Sequence, residues 1–260
     1  MISVENLHKR FGEVRAVDGV SFSAPDGSVT GLLGPNGAGK TTTLRLLYTL
    51  MRPDQGGITI DGIDAVRDPQ RARFALGVLP DPSGLYPRLT AREHIAYFGE
   101  LQGVSGAELQ RRTEHLLKML DMTEFADRRV AGYSHGERTK TALARAIVHN
   151  PKNVLLDEPT NGLDVMSTRA VREIIRRLKA EGHTVLFSSH VMQEVSALCD
   201  TIVVIARGRI VASGTPDDLR RQTGHQNLED AFVALSGLNE GQEAPGTPPE
   251  ARGTRLEAPS

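Results

Sequence analysis

The sequence predicts an α/β fold around a parallel sheet, and three observations point that way. The first is Gly34-Pro35-Asn36-Gly37-Ala38-Gly39-Lys40-Thr41-Thr42, which fits the phosphate-binding pattern G-x-x-x-x-G-K-S/T. It lies between a short apolar run, Val29 to Leu33, and a helical pattern, Thr42 to Leu50, with Leu44, Leu47 and Leu50 on one face. The second is a strand–helix rhythm that resumes at Asn153. The third is a helical texture from about Pro82 to Asn150, which reads as an insertion between parallel strands.

Taken in order, Ile2 to Leu7 alternates in polarity and reads as a strand, and Val14 to Phe22 as a second, closed by a Pro25-Asp26-Gly27 turn. Ile58 to Ile60 and Ala75 to Leu79 are further strands, so antiparallel β structure surrounds the first parallel βα unit. Thr90 to Leu101, Gly106 to Leu120 and Gly136 to His149 have helical spacing, and Leu109, Leu116, Leu117 and Leu120 share one face of the second. Strands follow at Asn153 to Leu156 and Thr184 to Ser188, each leading to a helix, Ser167 to Lys179 and Val191 to Leu198. Thr201 to Ala206 and Arg209 to Ala212 form a hairpin through Arg207-Gly208. A short helix starts at Pro216, and Leu228 to Leu235 forms a last one, packed on the core or on a partner. The expected domain is 1–237, with helices over about 82–150. The tail, 238–260, is rich in Gly, Pro, Glu and Ala and is expected to be disordered.

The glycines of the Gly34–Thr42 loop let successive N–H groups turn inward, and the helix behind it adds free donors and a partial positive charge. Residues Gly34, Pro35, Asn36, Gly37, Ala38, Gly39, Lys40, Thr41 and Thr42 are therefore the candidate phosphate cradle. Lys40 reaches the β- and γ-phosphates, the Thr41 hydroxyl ligates Mg²⁺, and Thr42 donates to a phosphate oxygen. The bland alternative is a chance glycine-rich turn.

Composition bounds the partners. The chain has 260 residues, 39% apolar and 24% charged, with a net charge of −1, and nothing suggests a nucleic-acid footprint. One cysteine, Cys199, precludes an internal disulfide and reads as a small core residue in a reducing compartment. No stretch of about 18 apolar residues and no apolar leader occurs, so a soluble cytosolic chain is expected, with any membrane role mediated by a partner.

Val154-Leu155-Leu156-Asp157-Glu158 is an apolar strand ending in two acids. In a phosphate-loop ATPase the first holds Mg²⁺ and the second polarises the attacking water. Tyr133-Ser134-His135-Gly136-Glu137 precedes a helix shortly before that strand. With the Gly34–Thr42 loop and Leu156–Glu158, it resembles the ATP-binding cassette family, whose signature reads LSGGQ at this place. The resemblance extends to about residue 237. Asn161-Gly162-Leu163-Asp164 resembles the family's D-loop, Ser188-Ser189-His190 its switch histidine, and Phe11 takes the place of the aromatic stacked on adenine.

The resemblance implies a RecA-like core with an antiparallel β subdomain and an inserted helical subdomain. It implies two such chains enclosing two ATP molecules head to tail, with Lys40 and Thr41 of one facing Ser134 and Gly136 of the other. Glu158 would be the general base or water-orienting residue and His190 a γ-phosphate contact. Asp157, Thr41 and Asp81 would serve Mg²⁺, and Asp164 would communicate across the dimer. ATP-driven closure would deliver work to a membrane-spanning permease subunit at the cytoplasmic face of the membrane.

Three departures stand out. Asp81 replaces the Q-loop glutamine. In the signature, His135 replaces a glycine and Glu137 a glutamine, which predicts a functional but slower site. Phe11 replaces the commoner tyrosine, a near-neutral change because stacking needs only the ring. Leu79-Pro80-Asp81, Gly84-Leu85-Tyr86, Leu89 to Glu93 and Gly162 to Met166 together resemble the ATPase subunits of bacterial sodium-export and ABC-2-type drug-efflux transporters. An exporter ATPase is therefore expected. The alternatives are a soluble, non-transport ABC ATPase and a regulatory module that binds ATP without hydrolysing it.

Overall fold

The computed structural model describes residues 1–236, and its backbone forms two sheets. The first has four antiparallel strands in the order β2 (Val14–Ala24), β1 (Ile2–Phe11), β4 (Gln55–Ile60) and β5 (Ile63–Asp64). Ile2 pairs with Ile60 and Val4 with Ile58, so the alternating apolar residues of β1 and β4 bury on one face.

The second sheet has six strands, in the order β10 (Arg209–Gly214), β9 (Thr201–Ala206), β3 (Val29–Leu33), β8 (Thr184–Ser189), β7 (Asn153–Leu156) and β6 (Leu76–Leu79). All pairings are parallel except the β9–β10 hairpin. Every residue of β3, β7 and β8 is buried, as a sheet covered on both faces requires. The two-residue period divides the side chains between two cores. Leu33, Leu156, Val185, Phe187, Ile202 and Val204 face the helices of one layer. Leu32, Leu155, Leu186, Val203 and Ile205 face the other, formed by α1 (Lys40–Leu47) and the antiparallel sheet.

A short α2 (Pro69–Phe74), capped by Asp68 with proline in its first turn, precedes β6. Between β6 and β7 lie α3 (Ala91–Leu101), α4 (Gly106–Met119) and α5 (His135–Ile147). Leu109, Leu116, Leu117 and Leu120 all join the core from α4 or its end. Then α6 (Val165–Ala180) packs against β8, and α7 (Met192–Leu198) against β3 and β8. Finally α8 (Pro216–Thr223) packs on β10, and α9 (Leu228–Ser236) on α7, α8 and β9 through Leu228 and Ala231, so this last helix belongs to the core. Cys199 is buried against Gly31, where an added Cβ would lie 2.6 Å from its sulfur.

One expectation needs correcting. The helix after the loop spans Lys40–Leu47 rather than Thr42 to Leu50. Thr49 takes a left-handed φ of 59°, the chain turns away, and Leu50 is 68% exposed instead of packing on the sheet. The 238–260 tail lies outside the described residues.

Candidate functional site

The parallel strands end on one edge, and the loops leaving them build a single cleft. After β3, the chain bends through Gly34–Gly39 into α1. Gly39 has φ 106°, and a Cβ there would meet the Ala16 carbonyl oxygen at 2.4 Å; at Gly34 it would meet the Ile205 carbonyl at 2.3 Å. Both positions admit only glycine without rearrangement. No side chain caps α1 and its first turn holds no acid, so its N–H donors remain open to an anion. Lys40 is buried and folds back. Its Nζ donates to the carbonyls of Gly34 (2.8 Å) and Pro35 (3.2 Å) and stands 3.2 Å from Glu158 Oε1.

The end of β7 supplies the two acids. The Asp157 N–H donates to the Leu79 carbonyl at 2.9 Å, and the side chain is buried. Its Oδ1 accepts from Thr41 Oγ1 (3.2 Å) and Ser188 Oγ (2.7 Å), whereas Oδ2 is buried without a partner. Burial pushes the Asp157 carboxyl above its ordinary pKa, against the pull of those hydroxyls. A buried carboxylate oxygen lacking a donor, beside a threonine hydroxyl, fits a hard divalent cation such as Mg²⁺. Among the described residues no cluster of three His, Cys, Asp or Glu forms a self-sufficient metal cage.

Glu158 adopts a left-handed backbone, φ 48°, rare for a residue with a side chain. Its N–H donates to Ser188 Oγ at 2.9 Å. His190, just beyond β8, places Nδ1 2.9 Å from Glu158 Oε2. A carboxylate accepts, so Nδ1 carries the proton. Lys40, Glu158 and His190 thus form one continuous chain of polar contacts.

These residues border a cleft of about 560 Å³ lined also by Asn36, Gly37, Gly39, Thr41, Thr42, Asp81, Asn161 and Arg207. Asp81 is exposed there, and its carbonyl accepts from Arg45 at 3.5 Å. Phe11 does not line the cleft. It ends β1, half-exposed beneath Lys9 and opposite Val14, and Val14 does line it.

Ser134, Gly136 and Asp164 also lie away from this cleft. Ser134 caps α5: its Oγ accepts from the Glu137 N–H at 3.2 Å, and Glu137 Oε2 accepts from the Ser134 N–H at 2.8 Å. Arg128 pairs with the same Glu137 carboxylate, so the charge that distinguishes this signature is compensated locally. Gly136 packs on α6, where a Cβ would meet Ser167 Oγ at 2.5 Å. Asp164 caps α6 through the Ser167 and Met166 N–H groups, 2.9 Å each, and the Ser167 hydroxyl. These bonds, that of the Ser167 N–H foremost, hold its carboxyl below the usual range.

Sequence reasoning missed Glu194. It is buried in α7, accepts from Ser189 Oγ at 3.1 Å and from the Thr160 hydroxyl, and ties the turn after Glu158 to the segment before His190. Sequence reasoning named Ser188 and Asn161 only as members of motifs, without the Ser188 hydroxyl's bridge between Asp157 and Glu158 or the place of Asn161 in the cleft lining. The run Ser188-Ser189-His190 was the available signal for the serine.

A family profile described as "ABC transporter" matches residues 17–161. The ABC transporter ATP-binding protein NatA of Bacillus subtilis is 43% identical over 239 residues, covering 90% of this chain and 97% of that protein. The daunorubicin resistance ATP-binding protein DrrA2 of Streptomyces coeruleorubidus is 40% identical, covering 88% and 71%. Among solved structures, the ATP-binding subunit of an ABC transporter superposes with a TM-score of 0.83 at 32% identity, covering 90% of this chain and 99% of that one. A dimeric ATP-binding cassette in a post-hydrolysis state with ADP and Pi gives 0.76 at 26%, covering 83% and 98%.

Proposed function

Because the chain belongs to the ABC transporter family and is one of its ATP-hydrolysing cassettes, we propose that it is the ATPase subunit of a bacterial exporter acting through a separate membrane permease. The observation that carries the catalytic part is the Lys40–Glu158–His190 chain beside the Thr41–Asp157 pair. The export direction is supported by relatives whose names state drug resistance, such as DrrA2, and Nod factor export in Ralstonia nicotianae. Sodium and drug-like molecules are the cargo classes that the sequence favours. Among the described residues no helix is long and apolar enough to cross a membrane, so movement of cargo requires the permease.

The roles follow from the contacts. Open N–H groups of Gly34–Thr42 and the Lys40 ammonium hold the phosphates. Thr41 and Asp157 would hold Mg²⁺, with Asp81 within the same cleft, and the ion would supply neutralising charge for the phosphate oxygens. Lys40 Nζ pairs with Glu158 Oε1. Drawing the ammonium toward a phosphate releases one carboxylate oxygen of Glu158 to orient water and accept its proton. His190 keeps the other oxygen fixed through Nδ1–H, and a hydrogen bond from Nε2 to the γ-phosphate requires that Nε2 carry a hydrogen as well, as in the imidazolium. Phe11 does not line the cleft itself but lies opposite Val14, which does, and from there would flank the adenine. Ser134, Gly136 and Asp164 do not line their own chain's cleft, which fits a head-to-tail dimer in which each chain's signature serves the other's nucleotide.

Two measurements test this reading. ATP turnover by the purified chain, with Glu158→Gln as control, tests the site. Detergent co-purification from the native host, read by mass spectrometry, tests the transporter assignment: a multi-span membrane protein is expected. Ribosomal or DNA-repair partners in its place would overturn it.

A further inference from the structure

His135, the first residue of α5, stands where the family signature has glycine, and its side chain makes a contact that glycine cannot. Its Nε2 lies 3.0 Å from the backbone carbonyl oxygen of Asn161. A carbonyl only accepts, so Nε2 carries the hydrogen. The N–H of Asn161 in turn donates to the Glu158 carbonyl at 3.1 Å. Two hydrogen bonds therefore join the start of α5 to the backbone of Glu158, the residue held in the disfavoured left-handed conformation.

The footing of this connection is firm. Ser134 and Glu137 close a capping box around the first turn of α5, Arg128 pairs with Glu137, and the Thr139 hydroxyl donates to the His135 carbonyl at 3.1 Å. The far end of the same turn is secured by Asp164, bound to Ser167, against which Gly136 packs. The segment from Glu158 to Asp164 is thus anchored at its middle by His135 and at its end by α6.

We propose that His135 is a positioning residue: its Nε2–H clip on the Asn161 carbonyl holds this turn so that the Glu158 carboxylate stays between Lys40 and His190. The role presupposes that Glu158 serves ATP hydrolysis, as proposed above. It also assigns a purpose to the histidine. The helix that presents the signature to a neighbouring chain is tied, within its own chain, to the residue that handles water.

The test compares wild type, His135→Gly and His135→Gln, the last retaining a side-chain N–H donor. Amide hydrogen exchange of the nucleotide-free protein reads Asn161 and Leu163, and steady-state kinetics read kcat and KM for ATP. His135→Gly is expected to speed Asn161 exchange about fivefold and lower kcat by a similar factor, the worth of one net hydrogen bond, with KM little changed. His135→Gln is expected to recover most of both. Wild-type exchange in His135→Gly, or a glutamine variant as impaired as the glycine one, overturns the clip. Glu158→Gln run in parallel separates the two ideas. If turnover survives that change, the assignment of Glu158 fails, while the exchange data still decide the role of His135.

Discussion

His190 Nδ1 lies 2.9 Å from one carboxylate oxygen of Glu158, and Lys40 Nζ lies 3.2 Å from the other. A carboxylate held from both sides cannot swing freely. Glu158→Gln keeps the shape but removes the proton acceptor. We expect ATP hydrolysis to fall by roughly 10²–10⁴-fold while ATP affinity is retained. Phosphate release and equilibrium nucleotide binding check this, and turnover near wild type would eliminate Glu158 as the base.

Lys40→Ala acts on the other side of the same pair. It removes a buried cation that two carbonyls and Glu158 hold in place. The loss of charge-assisted contacts to phosphate should weaken ATP binding by roughly 10–100-fold, since such bonds contribute about 1.5–3 kcal/mol each. Titration calorimetry with ATP provides the readout; an unchanged Kd would mean that the phosphates lie elsewhere.

Gly39→Ala tests the backbone of the loop apart from its chemistry. At φ 106° any side chain is strained, and the added Cβ would stand 2.4 Å from the Ala16 carbonyl oxygen. We expect a loss of about 1–3 kcal/mol, seen as a lower Tm without nucleotide. An unaltered Tm would show that the loop relaxes freely.

His94 gives a pH dependence remote from the cleft. It is fully buried, with Nδ1 2.8 Å from the Thr90 carbonyl and Nε2 2.8 Å from the Tyr86 N–H. Those partners fit only the neutral imidazole with its hydrogen on Nδ1. Burial above all lowers its pKa; the Thr90 carbonyl and Glu93 pull it up, while the nearby Arg145 adds to the lowering. The unfolded chain binds a proton near pH 6.5 that the folded chain resists. The stability from this group is therefore complete above about pH 6.5 and is lost as pH falls toward the lower folded value. Thermal unfolding from about pH 7.5 to 5.5 should show Tm declining, and His94→Gln should start lower but decline less. Equal slopes in the two proteins would remove His94 as the cause.

Much of this architecture is legible from residue order. The buried runs Val29–Leu33 and Asn153–Leu156 announce parallel strands because, Thr30 and Asn153 aside, they are apolar without the polar alternation of a half-exposed strand. The phosphate loop and the Asp157–Glu158 pair declare themselves by spacing. Leu50 misleads because helical periodicity ignores the left-handed turn at Thr49, which no residue nearby signals. The six-residue α2 is too short for a period to emerge, although Asp68-Pro69 is a usable start signal. Glu194 escapes because a buried acid on an otherwise ordinary helix gains meaning only from partners distant in sequence, Thr160 among them. The same holds for His135: its place in the signature is visible in one dimension, but its partner Asn161 is not.

The helical layer leaves the sheet at Leu79 and returns at Asn153, and these two strands are neighbours in register, Leu79 beside Leu156. The pairing is parallel, so the excursion leaves at one end of the strand pair, at Leu79, and returns at the other, where Asn153 lies beside Leu76, as one long crossover. Lengthening such a crossover costs little, about 0.6 kcal/mol per doubling of a flexible loop. Insertions and deletions far out on this layer can accumulate while its two ends stay fixed. The outer helical layer can thus change length without disturbing the chemistry at the strand ends.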